Sequence, residues 1–562
     1  MSFFQSSSQI TDSHFTAIGR DQYNLHIEKA DYRSEDDNTL ASLQPVTCPY
    51  IQPCMSGTRQ WMIDQIDDWL VDTQAPNVLL LTGSPGAGKS ALASTLVSKL
   101  QEVGRLGASF SCKRDDVALG DPAACWRTVA FALAQFDPAI AKRIAENIRG
   151  RKVDPGRADI VLHFKYLIED PLREAWRTHL DNLAGAGTTD GAGFIACFPV
   201  VVLDALDECG SDSSQSAQRE TFIHTLSKWA CLPRSFKLVI TSRDHRIPKS
   251  FRNVCRCAVL NTGNIAEPEA INDIRVFLRV RFATIAENNS YCSNWPGEHI
   301  IEQLTRHAAG LFIWADTLVK FIEPGIPNIR LDMILRGQFH DEHERLDGLY
   351  RQVIDLSLHP MTPRELEIYK LVVGTIVIAR IPLQRKDLQC LLDGVVEKAS
   401  INGILEKLSC VISTGTTNDL IHVSHLSFAE FICDPTRCGE HLAIHRGRHE
   451  KVMVIACLQS MQTGLCFNIC RLETSYVRNI DVPDLASRIE KFIPTHLSYS
   501  CRFWADHLQY TIVDIGLINS AHEFMHTHLL HWLEVLSLIN EANIAPQALI
   551  WVQKSFAVST LT

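Results

Sequence analysis

Residues Gly83-Ser84-Pro85-Gly86-Ala87-Gly88-Lys89-Ser90 have the spacing glycine, four residues, then Gly-Lys-Ser. The apolar run Asn77-Val-Leu-Leu-Leu-Thr82 precedes them, and a segment of helical periodicity from Ala91 to Leu100 follows. A strand, a glycine-rich loop and a helix form the context in which this spacing makes a phosphate-binding loop. Glycines let the backbone turn its N–H groups toward phosphate oxygens, and the helix adds the positive end of its dipole. The stretch therefore predicts that the chain binds a nucleoside triphosphate.

Two residues of this stretch have specific expected roles. Lys89 is expected to reach the β- and γ-phosphates, and the Ser90 hydroxyl is expected to ligate Mg²⁺. The predicted phosphate contacts are the residues of the loop and of the first helical turn, namely Gly83, Ser84, Pro85, Gly86, Ala87, Gly88, Lys89, Ser90 and Ala91.

The composition is that of a globular protein with several domains. The chain has 562 residues, of which 46% are apolar and 21% are charged. A net charge of −10 argues against binding nucleic acid through bulk electrostatics. The longest apolar run, Leu371 to Ala379, has about half the length that a membrane span needs. It predicts a core helix and no membrane span.

Compartment and redox state follow from the termini and the cysteines. The segment after Met1 lacks a basic region followed by a sustained apolar region, so it predicts no secretory signal. The 18 cysteines are scattered, and no pair has the spacing of zinc ligands together with nearby partners. They predict buried free thiols in a reducing compartment, for which the cytoplasm is the expected location.

Apolar runs alternate with helical segments through the first half of the chain. Besides the run before the phosphate loop, they are Leu106 to Ser111, Phe198 to Leu203 and Phe236 to Thr241. This alternation predicts a parallel sheet with helices on both faces. From about residue 265 onward helical periodicity dominates. The predicted fold class is therefore an α/β P-loop NTPase domain followed by mostly α-helical domains.

Other segments carry weaker local signals. Thr58 to Trp69 predicts an amphipathic helix, Trp126 to Leu133 a second helix, and Gly185 to Gly193 a surface loop without chemistry. Residues Gly19 to Ile27 alternate apolar and polar side chains, which predicts a docked strand or a disordered tail. A strand that pairs with other chains is the alternative.

Three carboxylates follow the third apolar run. Asp204 stands at the end of that run, where ligands bind in open α/β sheets, and is expected to hold Mg²⁺ directly or through water. Asp207 and Glu208 come three and four residues later, and either could accept a hydrogen bond from an attacking water. Arg243 ends the next run and is expected to sense or neutralise the γ-phosphate, with a structural role as the alternative.

With these motifs in place, the chain resembles the NACHT branch of the signal-transducing (STAND) NTPases, specifically the fungal type with a nephrocystin-3-like nucleotide domain. The resemblance runs from about Cys54 to Leu508. Its strings, in chain order, are Gly57-Thr58-Arg59, the phosphate loop, Asp204-Ala-Leu-Asp-Glu-Cys209, Thr241-Ser-Arg243, Gly310-Leu-Phe-Ile-Trp-Ala315, Leu346-Asp-Gly-Leu-Tyr350, His425-Leu-Ser-Phe-Ala-Glu-Phe431 and Tyr499-Ser-Cys-Arg-Phe-Trp-Ala-Asp-His-Leu508.

The resemblance implies a switch in which bound ADP keeps the protein closed and exchange for ATP opens it and drives self-association. It implies that Gly57, Thr58 and Arg59 lie near the base and ribose. It also implies that His425 matches a winged-helix histidine that contacts the β-phosphate of ADP, although a core histidine is the alternative. The segment Gly310-Leu311-Phe312 falls where relatives carry Gly-x-Pro, and the missing proline leaves Phe312 equally open to a core role.

On this template the chain divides into five parts. They are an N-terminal polar segment (1–48), a NACHT P-loop NTPase domain (49–255), a small helical domain (256–340), a winged-helix domain (341–436) and a C-terminal helical domain (437–562). No internal repeat follows, although relatives usually carry a repeat sensor there, and no effector motif precedes residue 49. The resemblance therefore implies a switch core without a repeat sensor, either by truncation or by design, whose protein effector and sensor are unknown.

Three functions are compatible with these residues. The first is an ATP/ADP switch in self/non-self or stress signalling that hydrolyses ATP slowly. The second is a P-loop ATPase with steady turnover, and the third is an interaction scaffold that nucleotide merely stabilises. The sequence shows no second arginine-finger motif and no pore-loop signature, and its set of Lys89, Ser90, Asp204 and Glu208 is more than a scaffold needs.

Overall fold

The computed structural model describes residues 35–114, 116–186, 198–210, 216–243, 247–336, 345–358, 360–415, 419–511 and 513–559. The strand predicted at Gly19 to Ile27 lies outside these ranges, as does the loop predicted at Gly185 to Gly193 from residue 187 onward. Within the described ranges, no helix is long and apolar enough to cross a membrane.

A five-stranded parallel sheet forms the centre of the N-terminal half. Its strands are β1 (Val78–Gly83), β2 (Leu106–Ser111), β3 (Val200–Asp204), β4 (Lys237–Ser242) and β5 (Arg256–Leu260). Their order is β2-β3-β4-β1-β5, and every neighbouring pair is parallel. The four predicted strands are confirmed. The fifth pairs with β1 and lies just beyond residue 255, the predicted end of this domain.

The inner strands β3, β4 and β1 are buried on both faces of the sheet, which explains why their sequences are mostly apolar. In β1, Val78 and Leu80 join the core on one face, whereas Leu79 and Leu81 join the core on the other. The helices that cover the sheet are Glu35–Ala41, Gln60–Val71, Lys89–Glu102, Val117–Gly120, Pro122–Phe136, Pro138–Arg149, Ile160–His163 (continued by a π-helix, Phe164–Glu169), Asp170–Ala186, Ser216–Trp229 and Lys249–Arg252.

The amphipathic helix predicted from Thr58 begins two residues later, at Gln60. Arg59 adopts the left-handed conformation (φ 60°) immediately before it, so the regular helix cannot include this residue. The amphipathic character of the helix is confirmed, since Met62, Ile66 and Trp69 are buried on one of its faces. The helix predicted from Trp126 to Leu133 lies inside Pro122–Phe136.

The second half is mostly helical. Its helices are Pro268–Asn288, Glu298–Ala308, Phe312–Ile322, Pro327–Arg336, Arg345–Leu358, Pro363–Ile378, Arg385–Leu391, Lys398–Lys407, Leu426–Ile432, Pro435–Cys438, Arg446–Gly464, Leu485–Phe492, Thr495–Gln509, Ile515–Thr527, Leu529–Leu538 and Ala545–Ser559. One connected cluster of buried side chains extends through these helices from Ile274 to Val552. The three predicted parts of this half therefore share one apolar core.

A small antiparallel sheet interrupts the helices. Its strands are β6 (Leu383–Gln384), β7 (Ile412–Thr414) and β8 (Leu420–Val423), in the order β6-β8-β7. It lies within the segment predicted to be a winged helix, and the helix Leu426–Ile432 follows its last strand. That assignment stays a prediction. The sheet matters because it positions His425 at the start of this helix.

Candidate nucleotide site

The phosphate loop connects β1 to the helix Lys89–Glu102. Gly86 and Gly88 have φ angles of 80° and 91°, a region that residues with a side chain rarely occupy. At Gly83, an added Cβ would lie 2.7 Å from the carbonyl oxygen of Leu260 in β5. Within the described part of the chain, the N–H groups of Gly86 and Gly88 donate to no protein acceptor. The loop therefore offers amide donors beside a helix N-terminus, which suits an anionic phosphate group.

The Lys89 ammonium folds back over its own loop. Its Nζ donates to the carbonyl oxygens of Gly83 and Ser84, at 2.9 Å in each case. Burial lowers the pKa of Lys89 to about 8; the positive charge of Arg243 also lowers it, whereas nearby carboxylates, Asp207 foremost, raise it. A phosphate group bound at the loop would place negative charge beside the ammonium and favour its charged form.

Asp204 lies at the end of β3, two strands away from the loop across β4. Its carboxylate is 5% exposed and accepts hydrogen bonds from Thr241 Oγ1 at 2.6 Å, from Ser111 Oγ at 3.1 Å and from Ser90. Burial raises the pKa of Asp204, and these hydrogen bonds oppose the rise. A carboxylate and a hydroxyl in contact are the oxygen ligands that Mg²⁺ prefers beside phosphate oxygens, so Asp204 and Ser90 fit this ion. Among the described residues, no group of three or more His, Cys, Asp or Glu side chains is arranged to hold a metal ion.

The two candidate water-orienting carboxylates have different surroundings. Asp207 is buried, and it accepts from the Arg243 backbone N–H at 3.1 Å and from Arg243 Nε at 3.1 Å. Glu208 is half-buried and accepts from the Arg114 backbone N–H at 3.3 Å. Asp207 therefore pairs with the arginine, and Glu208 is the more exposed of the two carboxylates.

Arg243 connects the sheet to the second half of the chain. Beyond Asp207, its guanidinium reaches Glu430 in the helix Leu426–Ile432, with 2.7 Å between Nη1 and Oε1. Sequence reasoning missed Glu430, although it belongs to the string His425-Leu-Ser-Phe-Ala-Glu-Phe431. The sequence feature that could have pointed to Glu430 is an acidic residue within a short apolar helix. Only the fold shows that it pairs with Arg243.

His425 caps the same helix and lies close to the loop. Its Nδ1 accepts from the Ser427 backbone N–H at 3.1 Å and contacts Ser427 Oγ at 2.7 Å, and that hydroxyl also contacts Tyr350 Oη at 2.9 Å. Burial lowers the pKa of His425 to about 4, and the charges of Arg243 and Lys89 add to this effect. The imidazole is therefore neutral at pH 7. Because Nδ1 accepts, the ring proton is on Nε2, which is free to donate.

Arg59 joins the loop to the helix Pro268–Asn288. Its backbone N–H donates to Asp273 Oδ2 at 3.0 Å, its Nη2 donates to the Ala87 carbonyl oxygen at 2.5 Å, and its guanidinium lies 4.8 Å from the Phe312 ring centroid. The residue is 1% exposed, and burial lowers its pKa. Among described residues, its Nε and Nη1 have no hydrogen-bond partner. Arg59 thus contributes buried, unsatisfied donors beside the phosphate loop.

An open cleft of about 440 Å³ lies next to Arg59, with lining residues Gly57, Gln60, Trp61, Pro268, Glu269, Asn272 and Asp273. Its volume is in the range of small-molecule sites. The predicted base and ribose residues differ in their relation to it. Gly57 lines the cleft, whereas the Thr58 hydroxyl donates to the Met55 carbonyl oxygen at 2.7 Å and holds the preceding turn.

The helix Phe312–Ile322 docks its first turn on the phosphate loop. The Ile313 N–H donates to the Gly86 carbonyl oxygen at 3.1 Å, and a Cβ added to Gly86 would lie 2.0 Å from Ile313 Cγ2. Thr262 Oγ1 donates to Ser84 Oγ at 3.0 Å. Of the other predicted contacts, Pro85 is half-buried in the loop, and Ala91 lies in the first helical turn.

The family described as Nephrocystin 3, N-terminal, matches residues 57–243 of the chain. The match begins at Gly57, contains the phosphate loop and Asp204, and ends at Arg243. Among curated proteins, no sequence matches this chain significantly.

Three solved structures resemble the chain at low sequence identity. A STAND protein with a tetratricopeptide repeat sensor from Pyrococcus horikoshii is 12% identical, with a TM-score of 0.36 over 91% of this chain and 65% of the other. The present chain therefore spans about two thirds of that protein's length. The Aeropyrum pernix ORC2 protein (12% identity, TM-score 0.29) is matched over 73% of this chain and 97% of its own. Drosophila ORC bound to DNA (12% identity, TM-score 0.27) is matched over 72% and 92%.

Proposed function

We propose that this chain is a nucleotide-controlled switch that binds ATP or ADP with Mg²⁺ and hydrolyses ATP slowly. The observation that carries the proposal is the meeting of two distant parts of the chain at the phosphate loop. Lys89 and Arg243 belong to the sheet domain, and His425 and Glu430 come from a helix about two hundred residues later. A ligand held there contacts both parts, so it can change how they fit together.

Each group has a distinct role in the proposed site. The loop amides and Lys89 bind the phosphate chain, and Ser90 and Asp204 would hold Mg²⁺, an ion that would supply positive charge for the phosphate oxygens. Glu208 orients the attacking water, and Arg243 stabilises the charge that develops on the γ-phosphoryl group. The cleft at Gly57 and Trp61 takes the base and ribose, with Arg59 between this cleft and the loop.

The proposed switch depends on the different charge that ADP and ATP place at this site. A neutral His425 whose Nε2–H is free suits a β-phosphate in the closed arrangement. A third phosphate adds negative charge next to Arg243 and Glu430, so it favours another arrangement of the same parts. A ligand shifts such an equilibrium only by its difference in affinity for the two states.

The finer parts of the proposal rest on the resemblance of the motifs. These parts are membership of the NACHT group of the fungal type, a winged helix around His425, self-association on activation, and a role in self/non-self or stress signalling in the cytoplasm. The match to the nephrocystin-3 N-terminal family over residues 57–243 supports the nucleotide-binding part of this assignment.

The nucleotide itself provides the first test. We expect the purified chain to retain ADP, identified by chromatography after denaturation, and the Lys89→Ala variant to retain none, because it lacks the ammonium at the phosphates. The matched control is Lys99→Ala on the same helix, whose ammonium pairs with Asp67 at the surface and should not affect retention. If the wild-type chain binds neither ADP nor ATP in calorimetry, the proposal is wrong.

Hydrolysis separates the switch from a steady ATPase. We expect well under one turnover per minute for the wild-type chain, which is slow for an enzyme. Glu208→Gln should bind ATP but hydrolyse it at least about tenfold more slowly, because an amide accepts the proton of water poorly. The control Glu220→Gln changes an exposed residue of the helix Ser216–Trp229. Several turnovers per second in the wild type would favour the steady ATPase.

A further inference from the structure

Arg243 is held by two carboxylates that belong to different parts of the chain. Asp207, from the loop after β3, takes its Nε at 3.1 Å, and Glu430, from the helix Leu426–Ile432, takes its Nη1 at 2.7 Å. The Arg243 side chain is 9% exposed and that of Glu430 is 28% exposed. The Glu430 contact is therefore largely shielded from water, where a charge pair is screened less than at a free surface.

The neighbourhood of this contact contains both charges, namely the cations Arg243 and Lys89 and the carboxylates Asp207, Asp204 and Glu208 that act on Lys89. The charges of both Arg243 and Lys89 act on the half-buried His425, and the charge of Arg243 acts on Lys89. A carboxylate placed at the edge of such a cluster occupies a position that suits an anionic ligand. It also repels any further negative charge that approaches Arg243.

We propose that Glu430 is the residue that distinguishes a nucleoside triphosphate from a diphosphate, by competing with the third phosphate for Arg243. This inference rests on the proposed function, since it concerns the same site. With a diphosphate bound, Glu430 keeps its contact with Arg243 and the two parts of the chain stay together. A third phosphate pairs with the Arg243 guanidinium in place of Glu430. Repulsion between the phosphate and the Glu430 carboxylate then moves the helix Leu426–Ile432 away from the site.

The helix does not need Glu430 in order to fold. Phe428 and Phe431 are buried in the core of the second half, and Tyr350 packs against both rings. Ser427 adds its contact with Tyr350 Oη at 2.9 Å. Replacing Glu430 therefore removes a charge from the Arg243 contact and leaves the attachment of the helix in place.

The test is the ratio of the dissociation constants of ADP and a non-hydrolysable ATP analogue, measured by calorimetry on the full chain with Mg²⁺. Glu430→Gln keeps the shape of the side chain and removes its charge. We expect it to tighten binding of the ATP analogue by about tenfold, as one shielded charge contact can supply, while the affinity for ADP changes by less than about threefold. Glu430→Asp keeps the charge on a shorter side chain and should give a smaller change in the same direction.

The control is Glu397→Gln, an exposed glutamate in the same part of the chain, which should leave both constants unchanged. If the wild-type chain binds both nucleotides and both Glu430 variants keep the wild-type ratio, the inference is wrong and the proposed function stands. If the wild-type chain binds neither nucleotide, the proposed function fails first. A Glu430→Gln variant with equal gains for ADP and the ATP analogue would also overturn the inference, because Glu430 would then not detect the third phosphate.

Discussion

Lys89 has the largest predicted influence of any single side chain on how the site depends on pH. Its pKa is lowered to about 8, with burial as the main cause. A bound phosphate raises the pKa of a neighbouring ammonium, so the complex holds a proton that the free protein has lost above pH 8. Nucleotide affinity is then highest below pH 8. It falls as the pH rises from the pKa of Lys89 in the free protein to its higher pKa in the complex.

We therefore expect the affinity for ADP to decrease by up to about tenfold between pH 8 and pH 9, with uptake of a proton on binding. Calorimetry in two buffers of different ionisation enthalpy measures this uptake directly. Equal dissociation constants at pH 7 and pH 9, with no proton uptake, would show that Lys89 is fully charged in the free protein.

His425 combines two roles that substitutions can separate. It caps the helix Leu426–Ile432 through Nδ1 and leaves its Nε2–H free. His425→Asn keeps an acceptor for the cap, because Asn is a favourable capping residue, but it cannot place a donor at the same position. His425→Leu removes both.

We expect both His425 variants to bind ADP about tenfold more weakly and to form oligomers spontaneously, as seen by size-exclusion chromatography. The exposed residue His441 supplies the control, His441→Leu. A His425→Asn variant that behaves like the wild type would mean that the helix cap, and not the Nε2 donor, holds the closed state.

At this scale the sequence predicted the residues of the site better than their partners. The order of glycines and of polar residues at strand ends located the loop, Asp204 and Arg243, since parallel strands bring their ends to one edge. The contacts Arg243–Glu430 and Arg59–Phe312 depend on how the second half of the chain docks on the sheet. No local pattern in the sequence encodes that docking.

Among the elements, the contact between the phosphate loop and the helix Phe312–Ile322 is the one most open to a steric test. Gly86→Ala adds a Cβ to a residue with φ 80° and places it 2.0 Å from Ile313 Cγ2. We expect a loss of stability of about 2–3 kcal/mol, from backbone strain and overlap together. Thermal unfolding monitored by circular dichroism measures it.

Two further variants separate these two causes. Gly104 has φ 66° and open space around an added Cβ, so Gly104→Ala should show backbone strain alone, about 1 kcal/mol. The double variant Gly86→Ala, Ile313→Ala removes the overlapping methyl group. Gly86→Ala should therefore cost less stability in the Ile313→Ala background than in the wild-type chain. An equal effect in both backgrounds would mean that Ile313 does not press on the loop.

The elements themselves were predicted to different degrees. Strands β1, β3 and β4 were recognised because they lie inside the sheet, where both faces are buried and the sequences are mostly apolar. Strand β5 lacks this signature because Arg256 and Cys257 are exposed, whereas β2, at the opposite edge of the sheet, keeps about half of its residues buried. The short strands β6 to β8 have two to four residues each, which is too few for a period to be recognised.

For the whole molecule, a buried charge network joins the helices Arg446–Gly464 and Thr495–Gln509 to Arg380, which follows the helix Pro363–Ile378. Glu450 is fully buried and accepts from Arg380 at 3.0 Å and from His507 at 2.5 Å, while Tyr499 Oη contacts His507 Nε2 at 2.9 Å. Burial raises the pKa of Glu450, but the hydrogen bonds and the Arg380 charge lower it more. The network crosses residue 436, where one predicted domain ends, so the parts on either side are tied together.

Arg380→Met should therefore destabilise the chain by about 3–5 kcal/mol, because it leaves Glu450 charged and buried with only the exposed Arg446, 3.7 Å away, as a cation. Adding Glu450→Gln removes that charge and should recover a large part of the loss. Arg488→Met, which breaks a more exposed pair with Asp484, should change stability by less than about 1 kcal/mol. Chemical denaturation of all four proteins gives the comparison, and a double variant no more stable than Arg380→Met would contradict it.

The order of the strands also bears on how the protein acquires its site. Val200 of β3 pairs with Lys237 of β4, and Val78 of β1 pairs with Leu238, so residues far apart in sequence must meet before the loop and Asp204 face each other. Non-local parallel pairing of this kind is slow, because the entropy of closing long loops is lost before the stabilising contacts form. If the chain is the proposed switch, nucleotide binds only copies that have nearly finished folding, so newly made copies pass through an interval in which they are present but do not respond to it.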